Sequence, residues 1–354
     1  MISLLEFMAL VTSTASITAS MEPPDPLTAG IIRDTRYKAT FQRDMRRQTL
    51  RRLMHQFLAC WEQRVSIPRW KKLSRALKKP FKLSVIIPTM NASARLVPLL
   101  QYVRPFADEI IVGVDSKTTD DTLQLAAPLA DQCFLIENAA RHCNGILDQL
   151  VGRCSGDWIL RLDDDEWPEP GFVQLWQGLL QDAENRGVTH FKMARPHLCR
   201  LDVAASDALG VVPKNRVTAS EDKDALYWIP DGYFFPDYQL RLFKNSPALL
   251  KFPPALPHVN LSVQGKQAKL HTIRLLHLNL AVYPTIDRLA KLRRNIERHQ
   301  GDWVHPVNEA ALLWERFHYR VLPYTSHEEA FDASVRAVIA QSLRYAGTSI
   351  EGAR

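Results

Sequence analysis

Between residues 80 and 170 the chain alternates short apolar runs with stretches of helical spacing. "KLSVIIPTMN" is a β-branched run ending at Pro88, "ASARLVPLLQYV" follows with helical character, and "DEIIVGVD" is a second buried run ending at Asp115. "TDDTLQLAAPLA" reads as helix, "CFLI" as a short strand, "ARHCNGILDQLVGRC" as helix, and "WILRL" as a strand bounded by Gly156 and Pro168. Such alternation predicts right-handed βαβ units and a mainly parallel sheet flanked by helices, an α/β fold. The polar residues fall at the carboxyl ends of the predicted strands, where open α/β sheets place their ligand crevice.

The most conspicuous of these is the tetrad Asp163, Asp164, Asp165 and Glu166, directly behind "WILRL". In an extended segment residues i and i+2 point to the same side. Asp163 and Asp165 are then expected to converge on one point while Asp164 points away. Two convergent carboxylates suit a hard divalent cation, Mg²⁺ or Mn²⁺, of which Mg²⁺ is commonly held by one or two carboxylates plus substrate phosphates. No G-x-G-x-x-G follows the first strand and no P-loop is present, so a nucleotide bound here needs another means of holding its diphosphate. A cation on that pair supplies one.

Composition narrows the classes. With 354 residues and 46% hydrophobic content the chain builds a real core. Its five cysteines lack CxxC spacing, which indicates neither a disulfide framework nor a zinc site. No apolar run approaches the roughly 18 to 20 residues that span a bilayer. Glu6 interrupts the N-terminal apolar stretch and no basic residue precedes it, so a cleaved signal peptide is not expected.

The net charge of +7 is unevenly spread: residues 31 to 80 carry 15 Lys and Arg against 3 acids, a local +12, leaving about −5 for the remainder. Within this segment Phe41, Met45, Leu53, Met54, Phe57, Leu58 and Trp61 recur near helical spacing among interleaved arginines. A basic amphipathic helix over 41–61 has two readings: packing on the main domain with a solvated basic face, or peripheral adhesion to an anionic membrane. With no zinc-finger or RNP pattern, nucleic acid is not expected as a partner.

"VIIPTMN", "DEIIVGVDSKTTDDT" and "RHCNGILDQLVGRCSGDWILRLDDDE" resemble successive motifs of the family 2 glycosyltransferases with the GT-A fold. The second matches that family's Asp-x-x-Ser-x-Asp-x-Thr at Asp115, Thr118, Asp120 and Thr122, with Thr in place of Ser. The third carries an Asn before Gly, then Gly-Asp-aromatic, then Asp-x-Asp at Asp163 to Asp165. "PDYQLRLFKN", "RLLHLNL" and "RLAKLRRN" resemble the distal part of bacterial members, including those that extend lipopolysaccharide cores. Together these cover residues 82 to about 295.

The resemblance implies metal-assisted, inverting transfer of a sugar from a nucleotide-diphosphate donor to a hydroxyl of a glycan, lipid-linked or envelope acceptor. It places Thr89, Asn91 and Asp115 on the nucleobase and ribose, and sets Asp164 among the donor-binding residues. Asn144 is either a donor contact or a helix cap. His277 matches a histidine that completes the metal site with Asp163 and Asp165; His258 is the reserve, although Val259 stands where relatives often have an acid. Inverting displacement needs a base for the acceptor proton. Asp237 is the first choice, with Asp231 and the pair Glu221 and Asp222 as competitors. Arg241 has two readings, contact with the diphosphate or a bidentate lock on the carboxylates.

From Ile286 onward three stretches are helical by pattern, "IDRLAKLRRNIERHQ", "NEAALLWERFHYRVL" and "EEAFDASVRAVIAQSLRYA". The expected organisation is a basic, partly helical extension over 1–80, a catalytic domain over 81–285 and a helical region over 286–354, in the cytoplasm or at the inner membrane face. Two other classes fit paired carboxylates behind a strand: a metal-dependent phosphohydrolase or nucleotidyltransferase, and a non-catalytic nucleotide-sugar-binding module.

Overall fold

The apolar runs form strands where the alternation predicts them. β1 spans Leu83–Thr89, β2 Glu109–Asp115, β3 Gln132–Ile136 and β4 Trp158–Arg161. The computed structural model describes residues 50–137, 146–199, 226–228, 235–252, 261–282, 322–326 and 328–351. β1 pairs in parallel with β2 and with β4, and β2 in parallel with β3. Beyond β4 come β5 (Glu166–Pro168), β6 (Val188–Ala194), β7 (Leu198–Cys199), β8 (Tyr227–Trp228), β9 (Tyr238–Lys244), β10 (Leu250–Lys251), β11 (Ser262–Val263), β12 (Lys266–His277) and β13 (Leu322–Pro323). The main sheet has the order β3-β2-β1-β4-β9-β6-β12-β5.

β9 runs antiparallel to both β4 and β6, while β6 and β12 are parallel. Six strands therefore point their carboxyl ends to one edge, and β9 begins there. This reversal was not foreseen, since periodicity carries no information about strand direction.

β1 is buried at every position, because the sheet is covered on both sides. Leu83, Val85 and Ile87 join the larger apolar cluster on one face, and Ile86 joins Ile111, Ile159 and Phe243 on the other. On the first face lie four longer helices: α1 (Ile67–Ala76), α2 (Ser93–Val103), α3 (Pro170–Arg186) and α4 (Glu329–Glu351). α3 starts with Pro at its first turn and stops at Gly187, whose φ of 64° provides the left-handed cap. Phe331 of α4 reaches Tyr102 of α2, with ring centroids 5.3 Å apart. Of the three C-terminal stretches predicted helical, "EEAFDASVRAVIAQSLRYA" lies within α4 apart from Glu328 just before it, and the other two lie outside the described residues except for Leu322, which opens β13.

The N-terminal extension is helical over 50–76, with a π-helical turn at Glu62–Ser66; Phe41 and Met45 lie outside the described residues. This arm packs on the domain through a face that its apolar spacing did not indicate. His55, Glu62 and Trp70 are buried, whereas Met54, Phe57 and Trp61 are 54%, 67% and 58% exposed. Glu62 accepts hydrogen bonds from the backbone N–H of His271 (2.8 Å) and the hydroxyl of Thr272 (2.8 Å) on β12, and burial raises its pKa. Trp70 Nε1 donates to Asp182 on α3 (3.1 Å). The outward-facing apolar residues follow from this: the partners on β12 and α3 are polar, so polar side chains turn inward. No helix among the described residues is long and apolar enough to cross a membrane.

Close approach of α1 to α3 depends on Gly178. A Cβ there stands 1.9 Å from the carbonyl oxygen of Trp70. Gly178→Ala is expected to lower stability by about 1–3 kcal/mol through overpacking, despite Ala's higher helix propensity. Gly171→Ala, in the same helix with nothing within 4 Å, is expected to be neutral or stabilising. Urea titrations of the two variants check the contrast; equal stabilities show that α1 yields without cost.

Candidate functional site

The edge that collects six strand ends also collects the chemistry. Thr89 ends β1, Asp115 ends β2, the acidic tetrad follows β4, Arg195 follows β6, His277 ends β12 and Asp237 immediately precedes β9. β5 starts at Glu166, which pairs with His277 in the sheet.

One expectation is corrected by the path of the backbone. β4 ends at Arg161, and Asp164 and Asp165 lie in a turn, closed by the Glu166 N–H on the carbonyl of Asp163 (3.0 Å). Alternation along a strand therefore does not govern these side chains, and each carboxylate takes its own surroundings. Asp163 pairs with Arg161 (3.0 Å) and with Arg241 (2.7 Å). Asp164 accepts from the Thr89 hydroxyl (2.6 Å) and from Arg95 Nε and Nη2 (both 3.2 Å). Asp165 faces His277, with Oδ2 and Nε2 3.5 Å apart.

Glu166, wholly buried, is the centre of the arrangement. Arg241 grips it through Nε and Nη2 (2.7 Å each) and Arg195 through Nη1 (2.6 Å). Of the two readings for Arg241, the structure has the lock on the carboxylates. Arg195 also grips Asp237 through Nε (2.8 Å) and Nη2 (2.6 Å). His197 and Gln239 add bonds to Asp237 at 3.2 and 2.6 Å.

Burial pushes every one of these carboxyls up, and the arginines decide the balance. For Glu166 the guanidiniums of Arg241 and Arg195 overcome burial and hold the pKa down to about 2. Asp163 is lowered against burial by Arg241 and Arg161, and Asp165 to about 2 against burial by His277. Asp164 is raised, since burial outweighs Arg95. Asp237 is held far below the carboxylate range, chiefly by Arg195 against its burial. A carboxylate so engaged is a poor proton acceptor. Asp237, expected as the base, is here a buried carboxylate held by Arg195, His197 and Gln239. Burial, the largest effect, holds His197 down to about 4.

Asn91, at a φ of 50°, accepts from the Thr119 N–H (2.8 Å) and ties the loop after β1 to the loop after β2. Asp115 accepts from the Lys117 N–H (2.9 Å). Asp120 receives the Ser93 N–H (3.1 Å) and the Thr122 N–H (3.1 Å), and so orders the start of α2. Asn144, Asp231, Glu221, Asp222 and His258 lie outside the described residues. Sequence reasoning missed Glu166 as a brace, and missed Arg95, Arg195 and His197 entirely. The only available signal was that "MARPH" sets an arginine and a histidine just past a strand.

Asp163, Asp165 and His277, expected to hold a metal, do not share one set of partners. Among the described residues no three His, Cys, Asp or Glu side chains gather as a metal cluster, and Asp163 is drawn into ion pairs. Asp165 and His277 alone face one another. Together they would offer a divalent cation one oxygen and one nitrogen donor.

Removing the Glu166 charge leaves two buried guanidiniums short of a partner. Glu166→Gln is expected to lose about 3–5 kcal/mol at neutral pH. Because the folded-state pKa is depressed from 4.5 to about 2, this stabilisation is present above pH 4.5 and lost as pH falls toward 2. Denaturant midpoints of wild type and variant should converge over that window; a constant gap refutes the assignment.

The profile of the family described as "Glycosyl transferase family 2" matches residues 84–217. An uncharacterized glycosyltransferase of Rickettsia prowazekii is 35% identical over 88 residues, 24% of this chain and 28% of that protein. A second, from Rickettsia felis, is 35% identical over 24% of this chain and 29% of its own length. The matches thus span under a third of these relatives. Among solved structures, glucosyl-3-phosphoglycerate synthase from Mycobacterium tuberculosis aligns at 23% identity and a TM-score of 0.29, over 36% of this chain and 48% of that one. A mycobacterial protein aligns at 21% and 0.30, over 36% and 45%. Likeness at that level carries no argument about substrate. The family match coincides with the strands, loops and acidic turn described above: residues 84–217 match a family 2 glycosyltransferase domain.

Proposed function

We propose that the chain transfers a sugar from a nucleotide-diphosphate donor to a hydroxyl of a glycan, lipid-linked or envelope acceptor, with inversion and with the help of Mn²⁺ or Mg²⁺. The observation that carries this reading is the opposition of Asp165 and His277 beside an arginine-braced acidic turn, at the edge where six strands end. A cation between them supplies Lewis-acid neutralisation of the charge that develops on the departing diphosphate.

The remaining roles belong to the chain's own residues. Thr89, Asn91 and Asp115 line the ends of β1 and β2 and are assigned to the nucleobase and ribose. Asp164 is held by Thr89 and Arg95, which makes it a support of that floor. Asn144 is assigned to the donor side. With Asp237 clamped, the base for the acceptor proton is assigned to Asp231.

A screen of nucleotide-sugars with Mn²⁺ and Mg²⁺, read as hydrolysis and transfer, tests the reading. Sugar-independent release of phosphate or pyrophosphate favours the phosphohydrolase or nucleotidyltransferase class; binding without turnover on any acceptor favours a non-catalytic module. Asp165→Ala and His277→Ala should each abolish metal-dependent nucleotide binding. Asp163→Ala should instead lower the melting temperature, with metal-dependent binding retained. Asp231→Asn should cut transfer by about 10²–10⁴ with donor affinity within a few-fold, whereas Asp237→Asn should chiefly destabilise the fold.

We further infer that the arm meets the acceptor's surroundings from the inner face of the membrane. Leu50, Met54, Phe57 and Trp61 recur at helical spacing and are more than half exposed, on an arm within the +12 segment. Each basic residue near an anionic surface contributes about 1 kcal/mol, weakened by salt. The full chain should co-sediment with anionic vesicles at low salt, and Phe57→Glu should release it without unfolding it. Equal binding of the two, or none by either, makes a soluble acceptor the better reading.

A further inference from the structure

Over part of its length the arm does not close on the sheet. It leaves a cavity of about 350 Å³, at the lower end of the roughly 300–1,000 Å³ typical of small-molecule sites. Arg52, His55, Gln56 and Gln63 line it from the arm, His271 and Arg274 from β12, and Trp228 and Phe235 from β8 and the chain leading into β9. Polar ties hold these walls in place. The Tyr238 hydroxyl lies 2.7 Å from Nδ1 of His55 and 2.5 Å from Nδ1 of His271, and Glu62 joins the arm to the backbone of His271. Glu169 grips Arg274 through Nε (2.6 Å) and Nη2 (2.8 Å), which fixes its guanidinium.

The lining favours one class of ligand. Arg52 and Arg274 bring guanidiniums to it, and none of the described residues lining the cavity is an Asp or Glu. Lys269 stands nearby, 4.8 Å from the centroid of the Tyr238 ring. Burial first, and then the neighbours, hold both imidazoles down to about 4: His271 and Arg274 act on His55, and Lys269 acts on His271. Positive charge that disfavours an imidazolium favours an anion. Trp228 and Phe235 meet edge to face with centroids 5.1 Å apart and add aromatic surface beside the amides of Gln56 and Gln63. Guanidiniums, planar amides and aromatic rings together match a ring that is apolar on its faces, polar at its rim and negative at one substituent. A sugar carrying a phosphate or a carboxylate has that pattern.

The cavity also adjoins the edge where the strands end. Arg274 comes three residues before His277 on β12, Phe235 two before Asp237, and Trp228 pairs with Leu198, the neighbour of His197. We propose that the cavity between the arm and β12 seats a phosphorylated or carboxylated sugar unit of the acceptor, which makes the arm part of the substrate site. The inference rests on the glycosyl-transfer reading above and adds to it the charge class of the acceptor and the place that reads it.

Binding is read from the Trp228 indole N–H in ¹H–¹⁵N spectra of the full chain labelled at tryptophan, with the signal assigned by Trp228→Phe. The probes are glucose 6-phosphate, glucuronate, glucose and inorganic phosphate. At least one of the two anionic sugars should shift the signal saturably and bind about 10-fold or more tightly than glucose or inorganic phosphate; which one does so tells phosphate from carboxylate. Gln56→Glu changes an exposed helical position, adds a carboxylate to the wall and should weaken that binding by about 10-fold. No saturable shift with either anionic sugar, equal affinity for glucose or for inorganic phosphate, or an unaffected Gln56→Glu variant overturns the proposal. So does displacement of the bound sugar by uridine diphosphate with Mn²⁺, which places that sugar in the donor cleft. Turnover of a nucleotide-sugar without any Trp228 shift overturns the cavity alone, whereas a shift without turnover of any nucleotide-sugar overturns the transfer reading and the acceptor role with it.

Discussion

The burial of one carboxylate, Glu166, between two arginines governs the rest of the site. A wholly buried anion is costly unless every lone pair is met, and Arg241 and Arg195 meet them from strands β9 and β6. Each arginine then has a donor to spare. Arg241 turns its spare donor to Asp163 and Arg195 turns its own to Asp237. Three carboxylates and two guanidiniums thus lock the turn after β4 to the start of β9 and the end of β6. Asp165 and His277 face one another beside this lattice.

The antiparallel β9 makes that lattice possible. In a sheet of parallel strands alone, the residue before a strand lies at the opposite edge from the residue after one. Reversing β9 brings Asp237 to the edge where β4, β6 and β12 end, within reach of Arg195 and His197. Arg241, four residues further, enters from the same strand.

Much of the fold was legible along the chain and much of the site was not, for one physical reason. Strands such as Leu83–Thr89 and Glu109–Asp115 announce themselves because burial on both faces demands continuous apolar runs, a local signature. The acidic tetrad was legible as a site, since four carboxylates behind a buried strand have no packing explanation. Which carboxylate does what was not, because deciding partners lie far along the chain, Arg195 29 residues from Glu166 and Arg241 78 residues from Asp163. The same holds for the arm. Its helix was legible from spacing, but the inward face belongs to His55 and Glu62, chosen by polar partners on β12.

Local reading errs in a consistent direction here. It treated Asp163, Asp165 and Asp237 as free reactants, since a sequence shows acids without their counter-charges. In the folded chain Arg161 and Arg241 pair with Asp163 and Arg195 pairs with Asp237, and carboxylates so held brace the turn. Asp165 differs in its neighbour, the imidazole of His277, which holds its pKa down to about 2 against burial. The carboxylates of the acidic turn thus differ by partner chemistry: Asp163 and Glu166 face arginines, and Asp165 faces an imidazole.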